Sequence, residues 1–180
     1  MTLSQFYCAA LGFLLPCYGG ADPVNEYQLK SAFIYNLAKF VEWPPSSFSS
    51  DKAPMRICVL GKDPFEGALQ AALNGKTLAG RPFAISAVSG PSAAAGCQIL
   101  FISASERSRL PSIFASLPSQ RILTVGETQG FAEQGGIVNL WLENGRVHME
   151  INADAAAQAK LWISSKLLNL AQIVKGKDAK

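Results

Sequence analysis

The sequence has 180 residues, 49% hydrophobic and 16% charged, which excludes a disordered chain and leaves room for one globular domain with a substantial core. Its net charge of +3 is too small for a nucleic-acid binder, and the lysines from Lys166 onward, set against Asp178, account for all of it. A single histidine, His148, excludes a metal site built on several imidazoles, and neither a cofactor nor a metal is expected.

Leu3 to Pro16 carries no charge, and the first charged residue is Asp22. A stretch of about 14 residues is too short to span a bilayer and matches the apolar region of a secretory signal. The small residues Gly19-Gly20-Ala21 follow where a signal peptidase would cut, although no Lys or Arg precedes the apolar stretch. Residues 1–21 are read as an export signal and 22–180 as the mature domain; a buried N-terminal helix is the alternative. Pro16 before Cys17 argues against a lipoprotein. With Cys8 and Cys17 removed, Cys58 and Cys97 remain. An even pair in an oxidising compartment reads as a disulfide closing a loop of about 40 residues, against the alternative of two separate buried thiols.

Glu26 to Val41 has helical periodicity, with Leu29, Phe33, Leu37, Phe40 and Val41 on one stripe and Lys30 and Lys39 off it. Trp43-Pro44-Pro45 stops it, and Ser46 to Ala53 is a loop. Met55 to Leu60 reads as a strand closed by Gly61. Asp63-Pro64-Phe65-Glu66 has the pattern of a capped helix start, with Phe65, Leu69, Ala72 and Leu73 as its buried face. One or two short strands follow within Thr77 to Val88. The apolar run Ile99 to Ile102 suits a strand covered on both faces. Ser103-Ala104-Ser105-Glu106 reads as a capping box before a helix carrying Leu110, Ile113, Phe114 and Leu117. Arg121 to Val125 is a further buried strand. This alternation predicts an α/β single domain with a largely parallel sheet and flanking helices.

The C-terminal part changes pattern. Ile137–Glu143 and Arg146–Asn152 flank Asn144-Gly145, which predicts an antiparallel hairpin with a two-residue turn. Its register puts Val138, Leu140 and Leu142 opposite Ile151, Met149 and Val147 on one face. On the other, Glu143 faces Arg146, Trp141 faces His148 and Asn139 faces Glu150. Asn152 then caps an Ala-rich helix, and a last amphipathic helix is expected from Ser165 to Val174.

No serine stands in a nucleophile elbow, no glycine-rich dinucleotide loop follows a strand, and Gly75-Lys76-Thr77 lacks the first glycine of a phosphate loop. Capping accounts for Asp63, Glu66 and Glu106, so catalysis is not expected. Trp141 beside His148 is read as a cross-strand pair that either stabilises a solvated face or forms part of a partner surface. Tyr27, Tyr35 and Trp43 carry the same two readings, with core packing favoured for most of them.

The run Tyr27 to Pro44, then Ile57-Cys58-Val59-Leu60-Gly61-Lys62-Asp63-Pro64-Phe65, Gly96-Cys97-Gln98-Ile99-Leu100-Phe101-Ile102, Ile151-Asn152 and Ser164-Ser165-Lys166-Leu167-Leu168 together resemble the YfiR family. That family comprises periplasmic repressors of a membrane diguanylate cyclase, and the resemblance covers roughly residues 25–172. It implies a regulator rather than an enzyme, one that binds the periplasmic region of an inner-membrane diguanylate cyclase and holds cyclic di-GMP and biofilm formation low. It also implies release through an outer-membrane lipoprotein or redox damage, a homodimer, and a disulfide at Cys58 and Cys97. A second disulfide found in the C-terminal half of the family's YfiR has no counterpart, since no cysteine follows Cys97. The alternative is a periplasmic small-molecule sensor acting on another membrane signalling protein.

Overall fold

A computed structural model describes residues 25–118 and 121–176. The chain opens with helix α1, Glu26–Phe40, capped by Asn25, whose side chain accepts from the Tyr27 N–H at 3.0 Å. Strand β1 (Val41–Glu42) follows directly, so the helix ends one residue before the predicted limit. Strand β2 is Met55–Leu60, helix α2 Ala68–Leu73, and strands β3 (Thr77–Leu78) and β4 (Arg81–Val88) form a small hairpin. Next come β5 (Ile99–Ile102), α3 (Leu110–Ser116), β6 (Leu123–Gly126), β7 (Val138–Glu143) and β8 (Arg146–Asn152). The chain closes with α4 (Ala153–Gln158), β9 (Trp162–Ile163), α5 (Ser165–Leu168) and β10 (Gln172–Val174).

Eight strands make one mixed sheet in the order β10-β8-β7-β6-β5-β2-β4-β3, while β1 and β9 form a separate antiparallel pair. Within the large sheet only β7–β8 and β3–β4 are antiparallel. The fold is thus the expected mostly parallel α/β domain. The central strands are apolar on both sides and divide alternate residues between two core layers. Ile57, Val59, Ile99, Phe101, Leu123 and Val125 face α1 and α2. Cys58, Leu60, Leu100 and Ile102 face α3 and Phe131. In that second layer Cys58 and Cys97 are joined as a disulfide, with 6.0 Å between their Cα atoms, tying β2 to the entry of β5.

The structure departs from sequence expectation at five places. Asp63-Pro64 makes a turn in which Asp63 Oδ1 accepts from the Phe65 N–H at 2.9 Å. Glu66 (φ 49°) and Gly67 (φ 90°) then adopt left-handed backbone, so the helix begins only at Ala68. Phe65, Leu69 and Leu73 are nevertheless buried as predicted. Ser103 does cap, accepting from the Ser105 N–H, but Glu106 pairs with Arg109 at 2.9 Å instead of completing a capping box. The turn that follows is 3₁₀ up to Arg109, because Pro111 has no N–H to continue an α-helical ladder back through it. The third central strand starts at Leu123 rather than Arg121, which has φ 74°.

The fourth departure lies in α1. Its buried face is Lys30, Ser31, Ile34, Leu37 and Ala38, while Phe33 and Phe40 of the predicted stripe are only half-buried. The fifth is at the end of the chain, where the expected Ser165–Val174 helix stops at Leu168. Gln172–Val174 instead pairs parallel to Glu150–Asn152. The β-branched Ile173 and Val174 suit a strand, and the open side of β8 offers hydrogen bonds that a last helical turn in solvent would not gain.

Candidate functional site

The hairpin forms in the predicted register, from Glu143 opposite Arg146 to Val138 opposite Ile151. Asn144 (φ 51°) and Gly145 (φ 71°) both take the left-handed backbone that a two-residue turn requires. Trp141 and His148 stack across it, with ring centroids 5.3 Å apart and planes 22° from parallel. His148 Nε2 lies 3.7 Å from Glu143 Oε2, and both side chains are largely solvated, at 43% and 59% exposure.

These two rings border a groove of about 580 Å³. From α1 it receives Phe33, Asn36, Leu37, Lys39 and Phe40; from the hairpin, Val147 and Met149 besides Trp141 and His148. Leu167, Leu170 and Gln172 close the third side. Leu170 is 78% exposed, an unusual condition for a large aliphatic residue, and it stands at the mouth. Of the apolar stripe read from the sequence, Leu37 is buried in the core, and Phe33 and Phe40 pack against that core while also forming the helix's wall of this groove. Volume, apolar lining and a few polar groups (Asn36, Lys39, Gln172) make it a place to bind, and no nucleophile–base pair is aimed into it.

A second polar cluster went unrecognised in the sequence. Lys30, 2% exposed, places its ammonium 2.7 Å from Glu127 Oε2 and 2.5 Å from Glu26 Oε1. Glu127 also accepts from the Ala104 N–H at 3.1 Å, so it joins α1 to the ends of β5 and β6. Burial, then the Glu127 and Glu26 carboxylates and a hydrogen bond to Glu127, push the Tyr27 phenol up to about 12. The only local hint was the Glu26–Lys30 spacing of four residues, since Glu127 is remote in sequence. With Lys30 and Glu127 paired inside the fold and Glu26 joining them from its surface, this cluster holds elements together.

The other residues singled out in the sequence are structural. Tyr27, Tyr35 and Trp43 pack against the main core. Trp43 Nε1 donates to the Gln98 carbonyl at 3.2 Å. Lys76 lies with its ammonium 4.4 Å from the centre of the Tyr35 ring, and Gly75 and Lys76 form the turn into β3, so no phosphate cradle exists there. Among the described residues no group of three or more His, Cys, Asp or Glu could hold a metal ion, and no helix is long and apolar enough to cross a membrane.

Fold and groove together define a disulfide-bonded α/β domain with an apolar groove. The chain belongs to the YfiR/HmsC-like family, whose model matches residues 27–172. That family is regulatory and is known for periplasmic repressors of diguanylate cyclases. Among curated proteins none matches this chain. Two solved structures share the fold. A conserved domain protein from Vibrio cholerae O1 biovar El Tor matches with a TM-score of 0.56 and 14% identity, covering 83% of this chain and 60% of its own. An ABC domain from Streptococcus pneumoniae in complex with L-Trp matches with a TM-score of 0.52 and 14% identity, covering 83% and 62%. The chain thus spans about three-fifths of the length of each, and at this identity the likeness concerns the fold alone.

Proposed function

We propose that this chain is a periplasmic regulatory protein that represses an inner-membrane diguanylate cyclase by direct binding, lowering cyclic di-GMP and biofilm formation. The match to the YfiR/HmsC-like family across residues 27–172 carries the reading. The Cys58–Cys97 bond supports an oxidising compartment. Export would rest on residues 1–21, which lie outside the described residues. The contact with the cyclase is assigned to the groove, with Trp141 and His148 at its border. An outer-membrane lipoprotein that relieves repression, and a homodimer, complete the proposed partners.

The test is co-expression with a diguanylate cyclase that carries a periplasmic sensor region, reading cellular cyclic di-GMP. The exported protein is expected to lower the nucleotide, and the double variant Trp141→Ala/His148→Ala to lower it less. An unchanged level with the wild-type protein would sink the repressor reading.

The size of the groove favours one alternative. About 580 Å³ falls within the range of about 300–1,000 Å³ typical of small-molecule sites, which suits a ligand-controlled sensor acting on another membrane protein. A thermal-shift screen of small metabolites reads it directly, because a ligand that binds only the folded state raises the melting temperature. A flat screen removes it.

A further inference from the structure

We propose that the groove takes its protein partner as an extended strand added to the free edge of β8. This rests on the partner-binding reading above and specifies how the partner is held. Strand β8 is paired with β7 from Arg146 to Ile151. On its other side β10 covers only Glu150, Ile151 and Asn152. Among the described residues, no strand lies beside Arg146 to Met149 on that side. Successive residues of a strand point to opposite faces, yet Val147, His148 and Met149 all line the same groove. A groove that touches three consecutive residues reaches the strand's edge as well as the face that carries Trp141 and His148.

The turn fixes which backbone groups are available. In a hairpin closed by two residues, the flanking pair Glu143 and Arg146 exchanges hydrogen bonds, and bonded and non-bonded pairs alternate from there. His148 is therefore bonded to Trp141, while the N–H and C=O of Val147 point away from β7 towards the groove. An unpaired edge flanked by apolar walls is the arrangement that β-augmentation uses: backbone bonds supply affinity, and pockets for alternate side chains supply selectivity. Phe33 and Phe40 on α1 form the wall such side chains would meet.

Charge narrows the occupant. Lys39 is the only Lys or Arg lining the groove, and no Asp or Glu lines it. The Lys39 ammonium lies 4.7 Å from the centre of the Tyr35 ring, which packs on Phe83 of β4 towards the other edge of the sheet, so it is turned away from β8. The fitting segment is extended, apolar at alternate positions, and uncharged where it lies in the groove.

Selection of linear peptides displayed on phage, against the oxidised full-length protein, tests this. Enriched peptides are expected to alternate apolar and polar residues. Val147→Pro removes a groove-facing N–H without touching the β7 ladder, and is expected to weaken binding about tenfold or more. Val147→Thr keeps the backbone groups and should bind within about twofold of wild type. Because a proline can unfold a hairpin, Phe33→Glu provides a second variant that blocks the opposite wall and leaves the hairpin unaltered; it too should lose binding. No enrichment, enrichment without alternation, or equal affinity for wild type, Val147→Pro and Phe33→Glu overturns the inference. So does a groove occupied only by small apolar molecules or by a second copy of the chain. Cyclic di-GMP repression is read in parallel. Repression by a wild-type protein that selects no peptide overturns edge docking and leaves the repressor reading standing. Peptide selection that depends on Val147, with no repression, upholds edge docking and overturns the repressor reading.

Discussion

Lys30 and Glu127, 97 positions apart in the chain, meet at 2.7 Å with both side chains almost wholly buried. Removing one member of such a pair strands the other charge away from water, which costs about 3–5 kcal/mol. Lys30→Met is expected to lose stability in this range by urea unfolding. Lys30→Met combined with Glu127→Gln should recover most of the loss, since neither site is then charged. A double variant as unstable as the single one would show that Glu127 acts mainly through the Ala104 N–H.

Stability at high pH follows from Tyr27. Its phenol ionises near 12 in the folded state against about 10 unfolded, so between these values the folded chain holds a proton that the unfolded chain has released. The contribution is complete below about pH 10 and fades as pH rises towards about 12. Melting curves across this window should fall less steeply for Tyr27→Phe than for wild type. Parallel curves would contradict the shift.

Phe131 is fully buried between Gly126 and Gly136, and a Cβ on either glycine would overlap its ring. Gly136→Ala should cost about 1–3 kcal/mol by overpacking. Gly90→Ala is the control: the site is open, its φ is −175°, and any residue adopts that backbone. Its midpoint should move little. Phe131→Leu in the Gly136→Ala background should return part of the loss.

The disulfide closes a span of 39 residues, for which chain entropy gives about 4 kcal/mol. Replacing both cysteines by Ala should lower stability by roughly this amount. Cys58 and Cys97 are 0% and 2% exposed, so reduction of the native protein should follow unfolding instead of preceding it. Mass spectrometry of exported material should find neither thiol alkylatable.

Trp141→Ala with His148→Ala removes an exposed stacked pair, worth roughly 0.2–1 kcal/mol to the hairpin. The midpoint should therefore change slightly while repression weakens. Full repression by the double variant removes these residues from the proposed contact.

Local chemistry explains what could be read from the chain beforehand. Asn144-Gly145 fixed the hairpin and its register because few residue pairs tolerate two left-handed positions, and every cross-strand partner followed. The central strands were legible as apolar runs because a parallel sheet buries both of their faces. The groove was half visible: Trp141 and His148 stood out, but nothing in the α1 stripe showed that Phe33 and Phe40 serve the groove as well as the core. α1 is apolar over more than one face, and the buried one is matched by partners remote in sequence, the sheet residues that meet Ile34 and Leu37 and the Glu127 that meets Lys30. No pattern within 15 residues of helix contains that information. Gln172–Val174 was missed for the same kind of reason, since its partner is the distant β8.

Strand β10 also has a bearing on self-association. By covering Glu150–Asn152, beside the buried Met149, it leaves only Arg146–His148 of that edge open, with Arg146 at the tip and the α1 wall alongside. So short an opening admits one segment and gives little purchase for sheet-to-sheet fibre growth, the hazard that long exposed edges carry. A chain cut before Gln172 would bare the whole of β8. Such a shortened product, from proteolysis or a premature stop, should precipitate or form fibres where the intact protein stays dispersed.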